Sequence, residues 1–210
     1  MDKRFAIFDM DGTLVDSMGY WKGLVGEYLA RLGIANIPED LPQRLMSMTM
    51  TQGAELLIRT FGLSDTAEEM IARQNAIMED HYRRDIPLKP GVKAYLQSLR
   101  EQEVQMCVAS ATAEPLIKAC LTRLGVRDYF RFILSCESIG VSKERPDIFH
   151  LAAKRLGAKP GDIAVYEDAL HAAKTAKAAG YYVVAVYDEN GKDRWEEIKA
   201  LADEFITRWQ

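Results

Sequence analysis

The chain has no apolar run near the ~20 residues that a membrane-crossing helix needs. It also has little cysteine: Cys107, Cys120 and Cys136 in 210 residues. An odd number at such wide spacing builds no disulfide framework, zinc knuckle or redox pair, and we expect three reduced, buried thiols. Charge of one sign is missing too. Lys and Arg number 27 against 31 Asp and Glu, a net charge of -4, and the basic residues are scattered. That balance gives no footprint for a nucleic-acid or membrane-surface partner. Repeats and low-complexity tracts are absent. Met1-Asp2-Lys3-Arg4 leads into an apolar run too short for a secretory signal, followed by acids rather than a cleavage site, so the expected location is cytoplasmic. What is present is ordinary for a folded chain: 48% hydrophobic and 28% charged residues, which excludes disorder. The length allows one large domain or a core with a small insert.

Five apolar segments read as buried strands: Phe5-Ala6-Ile7-Phe8, Val104 to Ala109, Phe132 to Ser135, Ile163 to Tyr166, and Tyr182 to Tyr187. Helical periodicity fills the gaps over Val92–Glu101, Glu114–Leu124, Pro146–Leu156 and Leu170–Ala179. Gly125, Gly157 and Gly180 stand where these helices should stop, and Pro115 and Pro146 near where two of them start. Alternating strand and helix predicts an α/β fold, a doubly wound parallel sheet with helices on both faces. Asp203 to Thr207 is expected to add a short edge strand. Between Ser17 and about Asp85 the alternation stops. The spacing of Tyr20, Trp21, Leu24, Val25, Tyr28, Leu29 and Leu32 is helical, and Asp65 with Glu68 resembles a capping box. The chain then re-enters through Ile86-Pro87-Leu88-Lys89-Pro90-Gly91. The expected organisation is a discontinuous core, 1–16 with 87–210, and an inserted all-helical cap, 17–86.

In an open parallel sheet, ligands bind beyond the carboxyl ends of the strands. Asp9 and Asp11 follow the first strand, two apart and therefore on one side of it, with Gly12 permitting a sharp turn behind them. Ser110, then Ala111-Thr112, follow the second. Lys143 comes a few residues after the third, and Glu167-Asp168 end the fourth. Two acid pairs, a hydroxyl and a lysine on one edge can hold a magnesium ion and a phosphate group.

With these residues in place, the chain resembles the haloacid dehalogenase superfamily, in its phosphatase and beta-phosphoglucomutase-like branch with a small helical cap. The resemblance rests on Asp9-Met10-Asp11-Gly12-Thr13-Leu14-Val15-Asp16-Ser17 and on the order of the three later motifs, and it covers the whole chain. It implies a Mg2+-dependent phosphoric monoester hydrolase. Asp9 would be the nucleophile that forms an aspartyl-phosphate. Asp11 would be the general acid and then base, its backbone carbonyl touching the metal. Ser110, with the backbone N–H groups of Ala111 and Gly12, would hold phosphate oxygens. Lys143 would pair with both Asp9 and phosphate. Asp9, Asp11, Glu167 and Asp168 would provide the metal site, Glu167 directly or through water. The expected partner is a small phosphorylated molecule, and the expected state a monomer. Asp16 and Ser17 would fix the hinge into the cap.

The chain departs from the family pattern twice. Gly-Lys-Pro-x-Pro-Asp is here Ser142-Lys143-Glu144-Arg145-Pro146-Asp147, which keeps the lysine but alters the loop, and Asp147 is expected to support that loop. Glu-Asp-Ser-x-x-Gly is here Glu167-Asp168-Ala169-Leu170-His171-Ala172, which keeps the acids. His171 is read as a polar helix-start residue, with contact to substrate or water as the alternative. Arg145 is a weaker candidate for extra phosphate charge. His81 and His150 receive no role.

Other reactions of the superfamily can be weighed. Haloacid dehalogenases lack the second aspartate, because a halide leaves without a proton, and Asp11 argues against that reaction. Phosphonoacetaldehyde hydrolases use a cap lysine, and the only lysine in 17–86 is Lys22, inside a helix. Beta-phosphoglucomutases carry a cap histidine where Trp21 stands and a cap arginine where Met46 to Thr51 has none. The phosphosugar mutase stays as the alternative, followed by a catalytically silent phosphate-binding regulatory relative. Substrate choice is expected from the cap, with Leu45 to Gly53 as the contact segment.

Overall fold

The computed structural model describes residues 3–45 and 48–209. Met1, Asp2, Met46, Ser47 and Gln210 lie outside that description, and with Met46 and Ser47 go two residues near the start of the expected contact segment. In chain order the elements are β1 (Phe5–Phe8), α1 (Met18–Arg31), α2 (Leu41–Leu45), α3 (Met50–Phe61), α4 (Ala67–Arg84), α5 (Val92–Glu101), β2 (Gln105–Ser110), α6 (Glu114–Arg123), β3 (Phe130–Ser135), α7 (Cys136–Ile139), α8 (Asp147–Leu156), β4 (Ile163–Glu167), α9 (Leu170–Ala178), β5 (Tyr182–Val186), α10 (Trp195–Leu201) and β6 (Glu204–Ile206). No described helix is long and apolar enough to cross a membrane. The chain forms two compact units, Met1–Met18 with Tyr82–Gln210, and Gly19–His81.

The first unit is a six-stranded sheet in the order β3-β2-β1-β4-β5-β6. Every neighbouring pair is parallel. β1 lies between two neighbours, Ile7 facing Cys107 on one side and Val165 on the other. A strand covered on both faces reads as a continuous apolar run, which is why Phe5-Ala6-Ile7-Phe8 shows no polar alternation. The expected edge strand is present as β6 beside β5. β3 starts two residues before the expected Phe132. Phe130 pairs with Met106, and a register shift before Val108 and Ile133 absorbs the irregularity.

Alternate strand residues supply the two faces. Ile7, Cys107, Ala109, Leu134, Ile163, Val165, Val183 and Ala185 pack with Phe149, Ala152, Ala173, Ala176 and Ile198 of α8, α9 and α10. The other face carries an aromatic layer: Phe8 stacks on Tyr166 at 4.2 Å, and Trp209 meets Tyr95 of α5 at 4.9 Å. Gly91, at φ 88°, presses against the Trp209 backbone where a Cβ would stand, so only glycine fits there. All three cysteines are free and buried. Burial raises the Cys107 thiol well above its usual range and pushes Cys120 up to about 11, as inert core thiols require.

Chain exit and re-entry run side by side. Val15 bridges Leu88 antiparallel, Asp16 N–H donates to the Pro87 carbonyl at 3.0 Å, and Lys89 N–H to that of Leu14 at 3.0 Å. These bonds pin the start of the insertion to its end.

The second unit shows no strand among its described residues. Leu24, Tyr28, Leu29, Leu57, Met70, Ile77 and Met78 are buried, whereas Leu32, expected on the apolar face, is 40% exposed. The capping box expected at Asp65 and Glu68 is displaced by one residue. Thr66 N–H donates to Glu69 at 2.8 Å, and Glu69 N–H to the Thr66 hydroxyl at 3.2 Å. Asp65 instead accepts from Tyr28 OH at 2.9 Å and pairs with Arg73 at 3.1 Å. A second box, Thr49 with Gln52, opens α3, so the last four residues of the expected contact segment, Met50 to Gly53, are helical.

Candidate active site

Asp9 extends β1 by one residue, its N–H donating to the Tyr166 carbonyl of β4 at 3.0 Å. The chain then turns tightly: Leu14 and Val15 both donate to the Met10 carbonyl, at 2.9 and 3.0 Å. Gly12 takes φ 79°, and a Cβ there would fall on the Asp168 carboxylate. The turn and the end of β4 are therefore built against each other, and Thr13 Oγ1 donates to Asp168 Oδ1 at 3.1 Å.

Ligand oxygens of Asp9, Glu167 and Asp168 lie within 4.8 Å of one another. Lys143, in the loop between α7 and α8, reaches in from the side. Its ammonium bonds Asp9 Oδ1 and donates to Glu167 Oε1 at 2.5 Å. The other Glu167 oxygen, Oε2, is buried with no partner among the described residues. Three carboxylates thus share a buried space with one ammonium. Burial pushes the Asp9 and Asp168 carboxyls up to about 8 and Glu167 up to about 7. The Lys143 charge opposes the rise at Asp9 and Glu167, and Lys89 ahead of Lys143 opposes it at Asp168, while the neighbouring acids add to each. Burial works against the charge of Lys143, but Asp9 and Glu167 more than offset it and hold the ammonium protonated. The surplus negative charge and the orphaned Glu167 oxygen fit a hard divalent cation with oxygen ligands.

Asp11 lies apart from this cluster. Its Oδ1 accepts from Ser17 Oγ at 2.7 Å and Tyr82 OH at 2.5 Å, and its Oδ2 from Thr112 Oγ1 at 2.7 Å and Ser110 Oγ at 3.4 Å. Ser110 ends β2 and also accepts from the Thr112 N–H at 3.1 Å, so its hydroxyl faces Asp11 rather than Asp9. Ala111, next along, is exposed. Arg145 pairs with Asp147, two residues on, at 3.1 Å, an exposed pair at the end of the altered loop. His171, at the start of α9, is lowered in pKa by burial and by the Lys143 charge. His150 bonds Tyr181 OH at 3.0 Å. His81 bonds Glu27 at 2.7 Å.

Tyr82, Thr112 and Thr13 carried no role in the sequence, and Ser17, expected only at the hinge, donates to Asp11. Thr112 follows Ser110-Ala111 directly after a strand and could have been found there. Tyr82 sits within a helical apolar period and carries no local signal.

An acid cluster, a buried lysine and a hydroxyl-bound acid thus meet at the carboxyl edge of a parallel α/β sheet, where enzymes of this fold class place their sites. The chain matches the model of the haloacid dehalogenase-like hydrolases over residues 6–186, and it belongs to that family. It is 29% identical to hexitol phosphatase B of Escherichia coli K12 over 83% of this chain and 79% of the relative. It is equally 29% identical to beta-phosphoglucomutase of Bacillus subtilis over 87% of this chain and 83% of the relative. Among solved structures, a putative beta-phosphoglucomutase from Thermotoga maritima superposes with a TM-score of 0.81 at 23% identity, covering 97% of this chain and 94% of that one; it shares the fold.

Proposed function

We propose that this enzyme is a magnesium-dependent phosphatase that hydrolyses small organic phosphate monoesters through a phosphorylated Asp9. The observation that carries the reading is the division of the acids into two environments. Asp9 stands in a buried, lysine-paired cluster, and Asp11 stands among hydroxyls. A nucleophile and a proton carrier need that separation.

In the first step an Asp9 oxygen bonds to phosphorus as the phosphorus–oxygen bond to the alcohol breaks. Asp11 gives its proton to the departing oxygen. In the second step Asp11, now a carboxylate, takes a proton from water. The water oxygen bonds to phosphorus, and Asp9 leaves as carboxylate. Lys143 neutralises Asp9 before attack and the phosphoryl oxygens after it. Gly12, Ser110 and Ala111 are assigned to phosphate binding. Asp9, Glu167, Asp168 and the Asp11 carbonyl would hold Mg2+, which supplies charge stabilisation for the phosphoryl group.

We assign the choice of organic group to the inserted helices, which we read as the cap, with core and cap divided near residues 17 and 86. Discrimination is expected to be weak, and a panel of metabolite phosphates tests it. One substrate preferred by orders of magnitude would contradict that expectation. We also assign a monomer in the cytoplasm, a reducing compartment that suits three free cysteines.

The mutase is the second reading, because a phosphatase and a mutase match this chain at the same identity. Trp21 and the lack of arginine in residues 46–51 favour hydrolysis. Against a catalytically silent relative, the assay incubates the protein with para-nitrophenyl phosphate and Mg2+, and repeats it with Asp9→Asn and with a chelator. Wild type should release nitrophenolate, and Asp9→Asn should fall to background. Equal release by both proteins would overturn the assignment.

A further inference from the structure

Three of the four hydroxyls on Asp11 come from the end of β2 and the segments that follow β1 and β2, where short side chains reach it easily. The fourth does not. Tyr82 lies in the last turn of α4, separated from Asp11 by 71 residues of chain, with its phenol 2.5 Å from Oδ1. Its side chain is fully buried. The phenol also lies 3.3 Å from Thr112 Oγ1, which itself donates to Oδ2 at 2.7 Å. Tyr82 and Thr112 therefore close a ring around both oxygens of the carboxylate.

The backbone beneath Tyr82 is held by a built clamp. Arg123, the last residue of α6, donates to the Tyr82 carbonyl from Nε at 3.3 Å and from Nη2 at 3.2 Å, and from Nη2 to the Ile86 carbonyl at 2.5 Å. The Tyr82 carbonyl lies in the last turn of α4 and that of Ile86 just beyond it, and the planar guanidinium fixes both at once. The phenol is carried on a fully buried ring whose packing leaves it little room to move. Of the four donors, Tyr82 is the one delivered by a distant helix whose backbone Arg123 holds in place. A hydroxyl can donate to a carboxylate and accept from a carboxylic acid, which no lysine or arginine can do. The ring can therefore hold Asp11 on both sides of a proton transfer.

We propose that Tyr82 is a positioning residue for Asp11: its phenol fixes the rotation of the carboxyl group that passes the proton to the leaving alcohol. This rests on the phosphatase reading given above. Its consequence depends on the substrate. An aliphatic alcohol needs that proton as the phosphorus–oxygen bond breaks, whereas para-nitrophenolate leaves without it.

The test compares wild type, Tyr82→Phe, Asp11→Asn and Asp9→Asn on glycerol phosphate and on para-nitrophenyl phosphate, with Mg2+ present throughout. The quantity read is kcat/KM, which ends at the first irreversible bond cleavage. Well-placed acid–base catalysis contributes about 100-fold or more, so partial misplacement in Tyr82→Phe should cost about 10-fold or more on the aliphatic ester. The loss on the aryl ester should be under about 3-fold, and Asp11→Asn should show the same selectivity more strongly. Equal losses on both esters, or none, would overturn the role of Tyr82. So would failure of Tyr82→Phe to fold, since deleting one hydroxyl would then have exposed a structural function. Activity surviving in Asp9→Asn would instead overturn the phosphatase reading, so the two failures are told apart.

Discussion

Replacing Lys143 by methionine keeps an unbranched apolar stem and removes the one ammonium inside the acid cluster. Lys143 is 7% exposed, and both of its partners are buried. The substitution strands Asp9 and Glu167 with no cation between them, and breaking a buried pair in this way costs about 3–5 kcal/mol. The loss should depend on pH, with a sign that follows from proton binding. The folded protein holds Asp9 at about 8 and Glu167 at about 7, against ordinary values of 3.8 and 4.5. A carboxyl raised by folding binds more protons folded than unfolded, so its stabilisation is present at low pH and is lost as pH rises through the folded pKa. Lys143 itself is raised above 10.5, so its contribution stays constant below that value. Without the ammonium the carboxyls rise further, and the variant loses stability with pH more steeply than wild type, by up to about 1.4 kcal/mol per pH unit for each extra proton held. Urea denaturation of both proteins in chelator, at about pH 5.5 and about pH 7.5, measures this difference. The deficit should be several kcal/mol at the higher pH and smaller at the lower. A deficit under about 1 kcal/mol at about pH 7.5, or one that grows on acidification, would refute the reasoning.

Two further substitutions probe the frame around the site. Gly12→Ala forces a Cβ onto the Asp168 carboxylate at a positive φ, so thermal stability should fall by about 1–3 kcal/mol. Activity should also need more Mg2+, and a melting curve with a magnesium titration reads both; no change in either would contradict the packing of turn against strand end. Trp209→Ala removes the ring that meets Tyr95, Tyr166 and Phe8 and should cost about 3–5 kcal/mol in urea denaturation. A cost under about 1 kcal/mol would mean that the aromatic layer closes without it.

Legibility from sequence followed the range of the forces involved. The strands and the longer helices of the sheet unit could be read because a strand buried on both faces must be apolar throughout, and because glycine at a helix end is set by local backbone sterics. The short α7 and the helix α10 went unread, since four to seven residues carry too little periodicity. The capping box slipped from Asp65 to Thr66 because both residues can cap. The tertiary bonds of Asp65 to Tyr28 and Arg73 decide which one does.

The same division runs through the site. Sequence alone determined which residues stand at the carboxyl ends of the strands, because strand ends and turn glycines are local, and parallel pairing brings those ends to one edge. That was enough to gather Asp9, Asp11, Ser110, Lys143, Glu167 and Asp168, and with them the family. Only the tertiary structure decided how they group. Lys143 joins Asp9 to Glu167 across 134 and 24 residues of chain, Asp168 lies against Gly12, and Asp11 turns to a ring of hydroxyls closed by Tyr82. Side-chain direction and the sharing of buried charge depend on groups that meet only after folding, so no local pattern could have announced them.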